Sequence, residues 1–258
     1  MSDPFGTAIR DWYRDEQAAP LVQRDGEAVV EHPIESFYFG RFDASAGRGA
    51  WLAARLSGPL LDVGAGVGRD ALFFQERFET VALERSSALV ETMRERGVAD
   101  ARHGDMFALR EAFDADRFGS VLSYGTQLGL AGSMDGLRRF LVDLACVTGD
   151  DATAVVDCYD PSRTGTRELL GFRSDPTPGL ASRVFHFEYD GRVGGTLLFR
   201  LFSPDRLREA AVPTPWTVEA IRRSDGGDGH HYLAALTKAE SRDGETGGEA
   251  RAAGSGDE

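Results

Sequence analysis

The amino-acid sequence predicts an α/β protein with a seven-stranded, mostly parallel sheet, helices on both faces and an antiparallel last strand. From residue 60 to residue 159, apolar segments of strand length alternate with helical patterns. Such alternation implies right-handed crossovers and therefore a parallel sheet. Two later strand-like segments, 216–221 and 232–237, are joined by a short link that allows an antiparallel pair. The 258 residues, of which 41% are hydrophobic, fit one large domain with an ordinary core.

The stretch LLDVGAGVGR, residues 60–69, predicts a buried strand, a tight glycine turn and the start of a helix. Glycine permits positive φ and close approach of a ligand to the backbone, so this turn is a candidate floor of a cofactor site. The dinucleotide fingerprint fails here, because its third glycine would fall on Arg69. Asp62, at the strand end, would repel a pyrophosphate but suits a cationic amino-acid group.

Two further acids follow in order along the chain. Glu84 ends the next apolar strand, 80–86, about twenty residues after the glycine turn, which is the spacing of a ribose ligand. A helix over 86–96, with Ser86 or Ser87 as N-cap, comes next, and Asp105 and Met106 follow a third strand. Glu84 alone is equally compatible with a dinucleotide enzyme.

Taken in order, these three signals over residues 60–109 resemble the Rossmann-like class I S-adenosylmethionine-dependent methyltransferases of small-molecule type. The resemblance implies S-adenosylmethionine as cofactor, with its ribose on Glu84, its adenine amine on Asp105 and its adenine ring packed on Met106. The full set of cofactor-binding residues predicted on this basis is Asp62, Gly64, Ala65, Gly66, Gly68, Arg69, Glu84, Arg85, Asp105, Met106, Ser123 and Tyr124. For Arg69, pairing with Asp70 or Glu76 is the alternative to a contact with a ligand carboxylate.

The later elements complete the predicted fold. A fourth strand, 118–124, lacks the Asp that the family commonly carries early in this strand, because Gly119 or Ser120 stands there. The motif of DNA and amide methyltransferases, Asn or Asp followed by Pro-Pro-aromatic, is absent, which disfavours methylation of base amines or glutamine. The remaining predicted elements are helices over 44–56, 134–147 and about 204–211, a fifth strand over 152–159, a loop-rich stretch over 160–180, and a β-hairpin formed by 183–189 and 196–202.

Three parts of the chain are predicted. Residues 1–50 are predicted to form an N-terminal helical lid that also walls the substrate pocket, as such segments often do in the resembling family; the alternative is that their aromatic residues pack on the outer surface of the sheet. Residues 51–238 form the methyltransferase core, with the hairpin inserted at about 181–202, and residues 239–258 form a disordered acidic tail.

The acceptor site is predicted where the parallel strands end. Tyr13 and Tyr38 from the lid, with Gln127 after the fourth strand, are the predicted substrate-pocket residues. Methyl transfer from a sulfonium mainly needs alignment, so the enzyme works with or without a general base. Candidates for such a base are Tyr124, Asp157, Tyr159 and His186, although a structural role is favoured for His186, as it is for His230 and His231.

The composition of the chain limits the classes of partner and the location that it fits. The net charge of −13 opposes a nucleic-acid substrate, and together with a single lysine, Lys238, it is compatible with adaptation to high salt. No apolar run reaches membrane-spanning length and no signal segment begins the chain, so a cytoplasmic monomer or homodimer is expected. Cys146 and Cys158 are expected to be free thiols, and no metal site is predicted.

Three functions are therefore compatible with the sequence. The favoured one is O- or N-methylation of a small molecule. The second is a non-catalytic or regulatory protein that binds S-adenosylmethionine. A nicotinamide-dependent oxidoreductase comes last, because the third fingerprint glycine is missing and the segment from Gly104 to Met106 matches the methyltransferase pattern.

Overall fold

The computed structural model describes residues 3–224 and 229–238 and has two β-sheets with helices packed around them. The strands are β1 (Val22–Asp25), β2 (Ala28–Glu31), β3 (Leu60–Val63), β4 (Thr80–Glu84), β5 (Ala101–His103), β6 (Phe118–Ser123), β7 (Thr148–Tyr159), β8 (Phe172–Ser174), β9 (Leu180–Tyr189), β10 (Arg192–Val193), β11 (Leu197–Phe202), β12 (Trp216–Arg223) and β13 (His231–Lys238). The α-helices are α1 (Pro4–Tyr13), α2 (Gly47–Ala53), α3 (Arg69–Phe74), α4 (Ser87–Glu95), α5 (Leu109–Ala112), α6 (Met134–Val147) and α7 (Pro204–Ala211). A π-helical turn (Glu35–Phe39) and two 3-10 turns (Gln127–Ala131 and Thr164–Glu168) complete the order.

The main sheet has seven strands in the order β12-β13-β7-β6-β3-β4-β5. Strands β3, β4, β5, β6 and β7 pair in parallel, whereas β13 is antiparallel to both of its neighbours, β7 and β12. This arrangement confirms the predicted fold. The chain turns to opposite sides of β3 on its way to β4 and to β6, and such a switch point opens a crevice at the carboxyl ends of the strands.

Burial explains why these segments form the sheet and its cover. All four residues of β3 are buried, as expected for a strand covered by helices on both faces. Helix α6 spans the predicted residues, begins at the N-cap Ser133, and packs Leu137, Phe140, Leu141 and Leu144 into the core with no exposed surface. The interior of the sheet therefore fixes the strand ends that carry the motif residues.

A second sheet of six strands was not predicted as such. Strand β9 pairs with β1, β8, β10 and β11, and β2 pairs with β1. The predicted hairpin is present as β9 and β11, with Phe185 opposite Leu197, but β9 begins at Leu180 and β8 lies inside the stretch expected to be loop.

The N-terminal segment differs from a purely helical lid. Its β1-β2 hairpin turns at Gly26, where φ is +59°, a turn residue that favours this connection. The predicted helix over 44–56 is shorter, spanning Gly47–Ala53. The predicted tail, 239–258, lies outside the described residues. In the part of the chain that the structure describes, no helix is long and apolar enough to cross a bilayer.

Candidate active site

A cavity of about 1180 Å³ lies where β3, β4, β6 and β7 end, between the main sheet and the second sheet. The turns after β3, β4 and β5 form one wall of it. The other wall comes from β9, β11 and the N-terminal segment, and it includes Tyr38, Phe185, Phe187 and Phe199. The cavity therefore joins the motif residues to an aromatic surface that the second sheet supplies.

The glycine turn has the geometry that its sequence predicts. Gly64, Gly66 and Gly68 have φ of +71°, +60° and +74°, which is a region that favours glycine. The backbone N–H groups of Gly64 and Ala65 both donate to the Leu83 carbonyl, at 2.9 and 3.1 Å, so the turn is fixed to β4. Tyr38 lies over Gly66, 3.6 Å from the position where a Cβ would stand.

Asp62 is a buried acid without a protein partner. Asp62 is 4% exposed and lines the cavity, and its carboxylate makes no hydrogen bond within the described residues. Burial, and next the negative charge of Asp70, raises the pKa of Asp62 well above its usual value. A buried carboxylate in this position is stabilised by a ligand that brings a positive charge or a hydrogen-bond donor.

Glu84 connects the glycine turn to the end of β4. Its carboxylate accepts hydrogen bonds from the backbone N–H groups of Gly66, Arg85 and Ser86, at 3.0, 2.7 and 2.9 Å. Burial raises the pKa of Glu84, and these three N–H groups oppose that rise. Two oxygens offer about four acceptor positions, so about one of them is left for a ligand hydroxyl.

Asp105 and Met106 stand together at the rim, after β5. Asp105 accepts a hydrogen bond from the Phe107 N–H at 2.9 Å, and its side chain is 42% exposed. The guanidinium of Arg85 lies 3.9 Å away. Met106 is buried beside it, and all three line the cavity. An acceptor and an apolar side chain are thus available to a ligand ring.

Arg69 lines the cavity and also makes contacts within the protein. It lies on the cavity wall, yet its guanidinium contacts Asp70 at 3.2 Å and donates to the Phe37 carbonyl at 2.8 Å. Arg48 also binds Asp70 through two hydrogen bonds, at 2.9 and 3.0 Å. The pairing with Asp70 considered from the sequence is therefore present, and it leaves Arg69 at the cavity as well.

Most of the predicted site residues lie on this cavity, but four do not. Gly68 lies beneath Val98 and Met93, and Ser123 is fully buried, with no hydrogen-bond partner for its hydroxyl among the residues described. Tyr13 stacks on Phe39, with 5.8 Å between ring centroids, and is not one of the residues that line the pocket. The predicted residues that do line the cavity are Asp62, Gly64, Ala65, Gly66, Arg69, Glu84, Arg85, Asp105, Met106, Tyr124, Gln127, Asp157, Tyr159 and Tyr38.

His186 is the fourth, and the alternation of β9 explains why. Phe185 and Phe187 line the cavity, so His186 between them points to the opposite face of the strand. There its Nε2 lies 3.0 Å from the Glu188 carboxylate. The structure therefore does not bring this candidate base to the site.

The structure places at the cavity a His–Asp pair that was not predicted from the sequence. Asp157, which is 1% exposed, accepts a hydrogen bond from the Thr126 N–H at 2.8 Å. Its other oxygen lies 2.6 Å from Nε2 of His231, the residue expected to be structural. His231 also meets the rings of Tyr124 and Tyr159, with centroids 6.0 and 5.3 Å apart. The antiparallel pairing of β13 with β7 brings this histidine to the site.

Three polar cavity residues that were not predicted form one hydrogen-bonded chain: Gln23 on β1, His32 directly after β2 and Arg183 on β9. His32 bonds Tyr38 Oη through Nε2 at 2.8 Å, and its Nδ1 lies 2.9 Å from Gln23 Nε2. Burial, and next the charge of Arg183, lowers the pKa of His32 to about 4. Gln23 Oε1 accepts a hydrogen bond from Arg183 at 3.1 Å. Strands β1 and β2 were not predicted, so nothing in the sequence placed Gln23 and His32 here. Arg183 begins the predicted strand 183–189, but no local pattern singled out its side chain.

No protein-family model and no curated protein matches the chain. Among solved structures, it is similar to a SAM-dependent methyltransferase from Bacteroides fragilis in complex with S-adenosyl-L-homocysteine. The two chains are 27% identical with a TM-score of 0.71, over 92% of this chain and 95% of the other.

Two further structures share the fold at lower identity. The CcbJ methyltransferase from Streptomyces caelestis is 20% identical with a TM-score of 0.56, over 74% of this chain and 87% of its own. CalS10, an amino pentose methyltransferase from Micromonospora echinaspora, is 19% identical with a TM-score of 0.50, over 70% and 83%. The order of motifs, the topology of the main sheet and the Bacteroides likeness together confirm the resemblance to class I S-adenosylmethionine-dependent methyltransferases, in fold and in enzyme class.

Proposed function

We propose that this enzyme transfers the methyl group of S-adenosylmethionine to an oxygen or nitrogen atom of a small-molecule acceptor. The observation that carries the proposal is that one cavity holds both the motif residues and an aromatic wall from a separate sheet. A ligand on the motif residues would therefore face a second, largely apolar compartment. CalS10 is an amino pentose methyltransferase involved in calicheamicin biosynthesis, but at 19% identity its likeness supports the shared fold alone.

The residues of the first wall fit S-adenosylmethionine. When bound, this cofactor supplies an electrophilic methyl group on a positively charged sulfur. Asp62, which is buried and has no hydrogen-bond partner among the described residues, is matched to the amine of its methionine part. Glu84 retains an acceptor position for a ribose hydroxyl, and Asp105 offers an exposed carboxylate to the adenine amine. The positive φ of Gly66 lets the backbone approach the ligand without a side chain between them.

The second wall is suited to hold an acceptor and exclude water. Phe185 and Phe199 stack with 5.5 Å between centroids and an interplanar angle of 5°, and Phe187 meets Phe185 edge to face. Tyr38, half-buried over Gly66, lies at the boundary between the two walls. Aromatic surfaces supply much contact area with little conformational freedom, which aligns an acceptor for in-line displacement.

His231 is the proposed base where the acceptor must lose a proton. The carboxylate of Asp157 can only accept, so Nε2 of His231 carries the proton that it donates across 2.6 Å. Nδ1 is then the unprotonated ring nitrogen and can take a proton from an acceptor hydroxyl or ammonium. Asp157 is in turn held by the Thr126 N–H, so the ring is oriented before the acceptor arrives.

Labelled-methyl turnover against the small-molecule fraction of a cell extract tests the proposal. The full-length protein with S-adenosylmethionine should label at least one small molecule. We expect Asp157→Asn to lower this turnover by about 100-fold, because general base catalysis is worth about 10²–10⁴, while its affinity for S-adenosylhomocysteine stays within about twofold. Asp205→Asn, at an exposed acid on α7, is the matched control.

The outcomes separate the alternatives. Tight binding of S-adenosylhomocysteine without turnover on any fraction would contradict an enzyme and support the regulatory alternative. Binding of NAD in place of S-adenosylhomocysteine, measured by calorimetry, would contradict the cofactor assignment. Full turnover by Asp157→Asn would remove the His231–Asp157 pair from the mechanism and leave alignment alone.

A further inference from the structure

Arg183 differs from the other arginines on the cavity wall because no acid in the described part of the chain pairs with it. Arg69 and Arg85 each have a carboxylate within 4.0 Å, those of Asp70 at 3.2 Å and Asp105 at 3.9 Å. Arg183 forms no such ion pair with any of the residues described. Its protein partners are uncharged: Nε donates to the Leu170 carbonyl at 3.0 Å and Nη2 to Gln23 at 3.1 Å.

The guanidinium is nevertheless fixed in place. It lies over the ring of Phe185, with 4.8 Å from its carbon to the centroid, and that ring stacks on Phe199. Gln23, which accepts from Nη2, is itself held by His32. The two hydrogen bonds and the aromatic floor thus hold the plane of the guanidinium, so its position does not depend on a ligand.

One edge of this group opens onto the cavity. Nη1 has no hydrogen-bond partner in the described part of the chain, and it is not among the enclosed polar atoms that lack one. Arg183 lines the cavity beside Phe185, so Nη1 is the nitrogen available to a ligand there. Burial lowers the pKa of Arg183, because desolvation disfavours the charged form. A half-buried cation of this kind lacks only an anionic partner.

We infer that the methyl acceptor carries a carboxylate, which Arg183 binds through Nη1 while the apolar part of the acceptor packs against Phe185 and Phe187. This inference rests on the proposed function, since it assigns the substrate class of the same site. A single cation with one open edge matches a monoanion, and a planar carboxylate matches the geometry of a guanidinium. The overall charge of −13 further disfavours a dianionic phosphate.

Matched pairs of phenolic acids and their amides test this assignment. With the full-length protein saturated with S-adenosylhomocysteine, calorimetry measures the Kd of 4-hydroxybenzoate, 4-hydroxyphenylacetate and 4-hydroxycinnamate, and of the primary amide of each. We expect at least one acid to bind about tenfold or more tightly than its amide, because a desolvated charge-assisted hydrogen bond is the strong kind. Phenyl phosphate, as the dianionic probe, should bind more weakly than that acid.

Variants then assign the preference to one side chain. Arg183→Met fills the space of the stem without the charge, and the ratio of amide to acid Kd should fall to about one. Arg183→Lys should keep part of the preference, since it keeps the charge. Arg192→Met, at an exposed arginine on β10, should keep all of it. Unchanged affinity of all three variants for S-adenosylhomocysteine checks that they are folded.

Several results would overturn the inference. It is wrong if no acid binds more tightly than its amide, if phenyl phosphate binds best, or if Arg183→Met keeps the preference. Loss of S-adenosylhomocysteine binding in Arg183→Met, with a normal melting temperature, would assign the guanidinium to the cofactor carboxylate instead. If the wild-type protein itself does not bind S-adenosylhomocysteine, the proposed function fails and the inference falls with it; normal binding without acid preference refutes the inference alone.

Discussion

Replacing Glu84 by glutamine should weaken cofactor binding far more than its small change in shape suggests. Oε1 of Glu84 accepts two backbone N–H groups, from Arg85 and Ser86, while Oε2 accepts the one from Gly66. If the glutamine oxygen replaces Oε1, its NH₂ group stands 3.0 Å from the Gly66 N–H, and two donors then face each other. The reverse orientation places the NH₂ group against two donors, so neither rotamer preserves the turn.

The magnitude follows from the hydrogen bonds that the glutamine cannot make. One charge-assisted hydrogen bond to the glycine turn and one acceptor for a ribose hydroxyl are removed, and a hydrogen bond to a charged group is worth about 1.5–3 kcal/mol. Part of this free energy is also missing from the unliganded protein, so we expect the Kd of S-adenosylhomocysteine to rise by about 10- to 150-fold. Titration calorimetry of Glu84→Gln measures this change.

A matched control separates the site from the charge of the surface. Glu76 is an exposed acid just beyond α3, and Glu76→Gln removes the same unit charge from the protein. Its Kd should stay within about twofold of the wild type, because exposed charges at a distance are screened. A folded Glu84→Gln variant that also keeps the wild-type Kd would refute the role assigned to Glu84.

Three other predictions follow from the charges of the molecule. Asp62→Asn should bind S-adenosylhomocysteine about tenfold or more weakly, and equal binding would exclude Asp62 from the amine site. The same variant should melt several degrees higher at pH 7, because the raised pKa of the buried Asp62 carboxyl costs the wild type stability there, and this difference should fade below pH 4. The pKa of His32 is lowered from 6.5 to about 4, so between these pH values the unfolded state binds a proton that the folded state does not. As the pH falls through this range, the free energy of unfolding of the wild type, measured in urea, should drop by up to about 3 kcal/mol relative to that of His32→Gln; parallel pH profiles of the two proteins would contradict this. Finally, with a net charge of −13, the melting temperature should rise by at least a few degrees in molar KCl, and a maximum in dilute buffer would argue against the proposed adaptation to salt.

The main sheet could be predicted because local patterns fix its strands and turns. The apolar run at 60–63, the glycines after it and the acid Glu84 at the next strand end carry their meaning in short segments. The same holds for α6, whose bounds follow from its apolar spacing and from Gly149 just beyond its end. The resemblance to a known family then placed these residues on one ligand, which spacing alone did not.

The acceptor side could not be predicted in the same way, because long-range pairing creates it. Strand β1 reaches the site by pairing with β9, more than 150 residues later, so Gln23 and Arg183 meet only in the folded chain. The Asp25–Gly26 pair before a short apolar run was a usable hairpin signal for β1 and β2. His231 and Asp157 likewise meet through an antiparallel register that no local pattern encodes.

A crystal structure of the full-length protein with S-adenosylhomocysteine tests the account most directly. We expect the ribose on Glu84, the adenine beside Asp105 and Met106, the amine on Asp62, and the sulfur directed at the space in front of His231. Density for the ligand outside the cavity, or inside it with the sulfur turned away from the aromatic wall, would contradict both the cofactor site and the acceptor compartment drawn here.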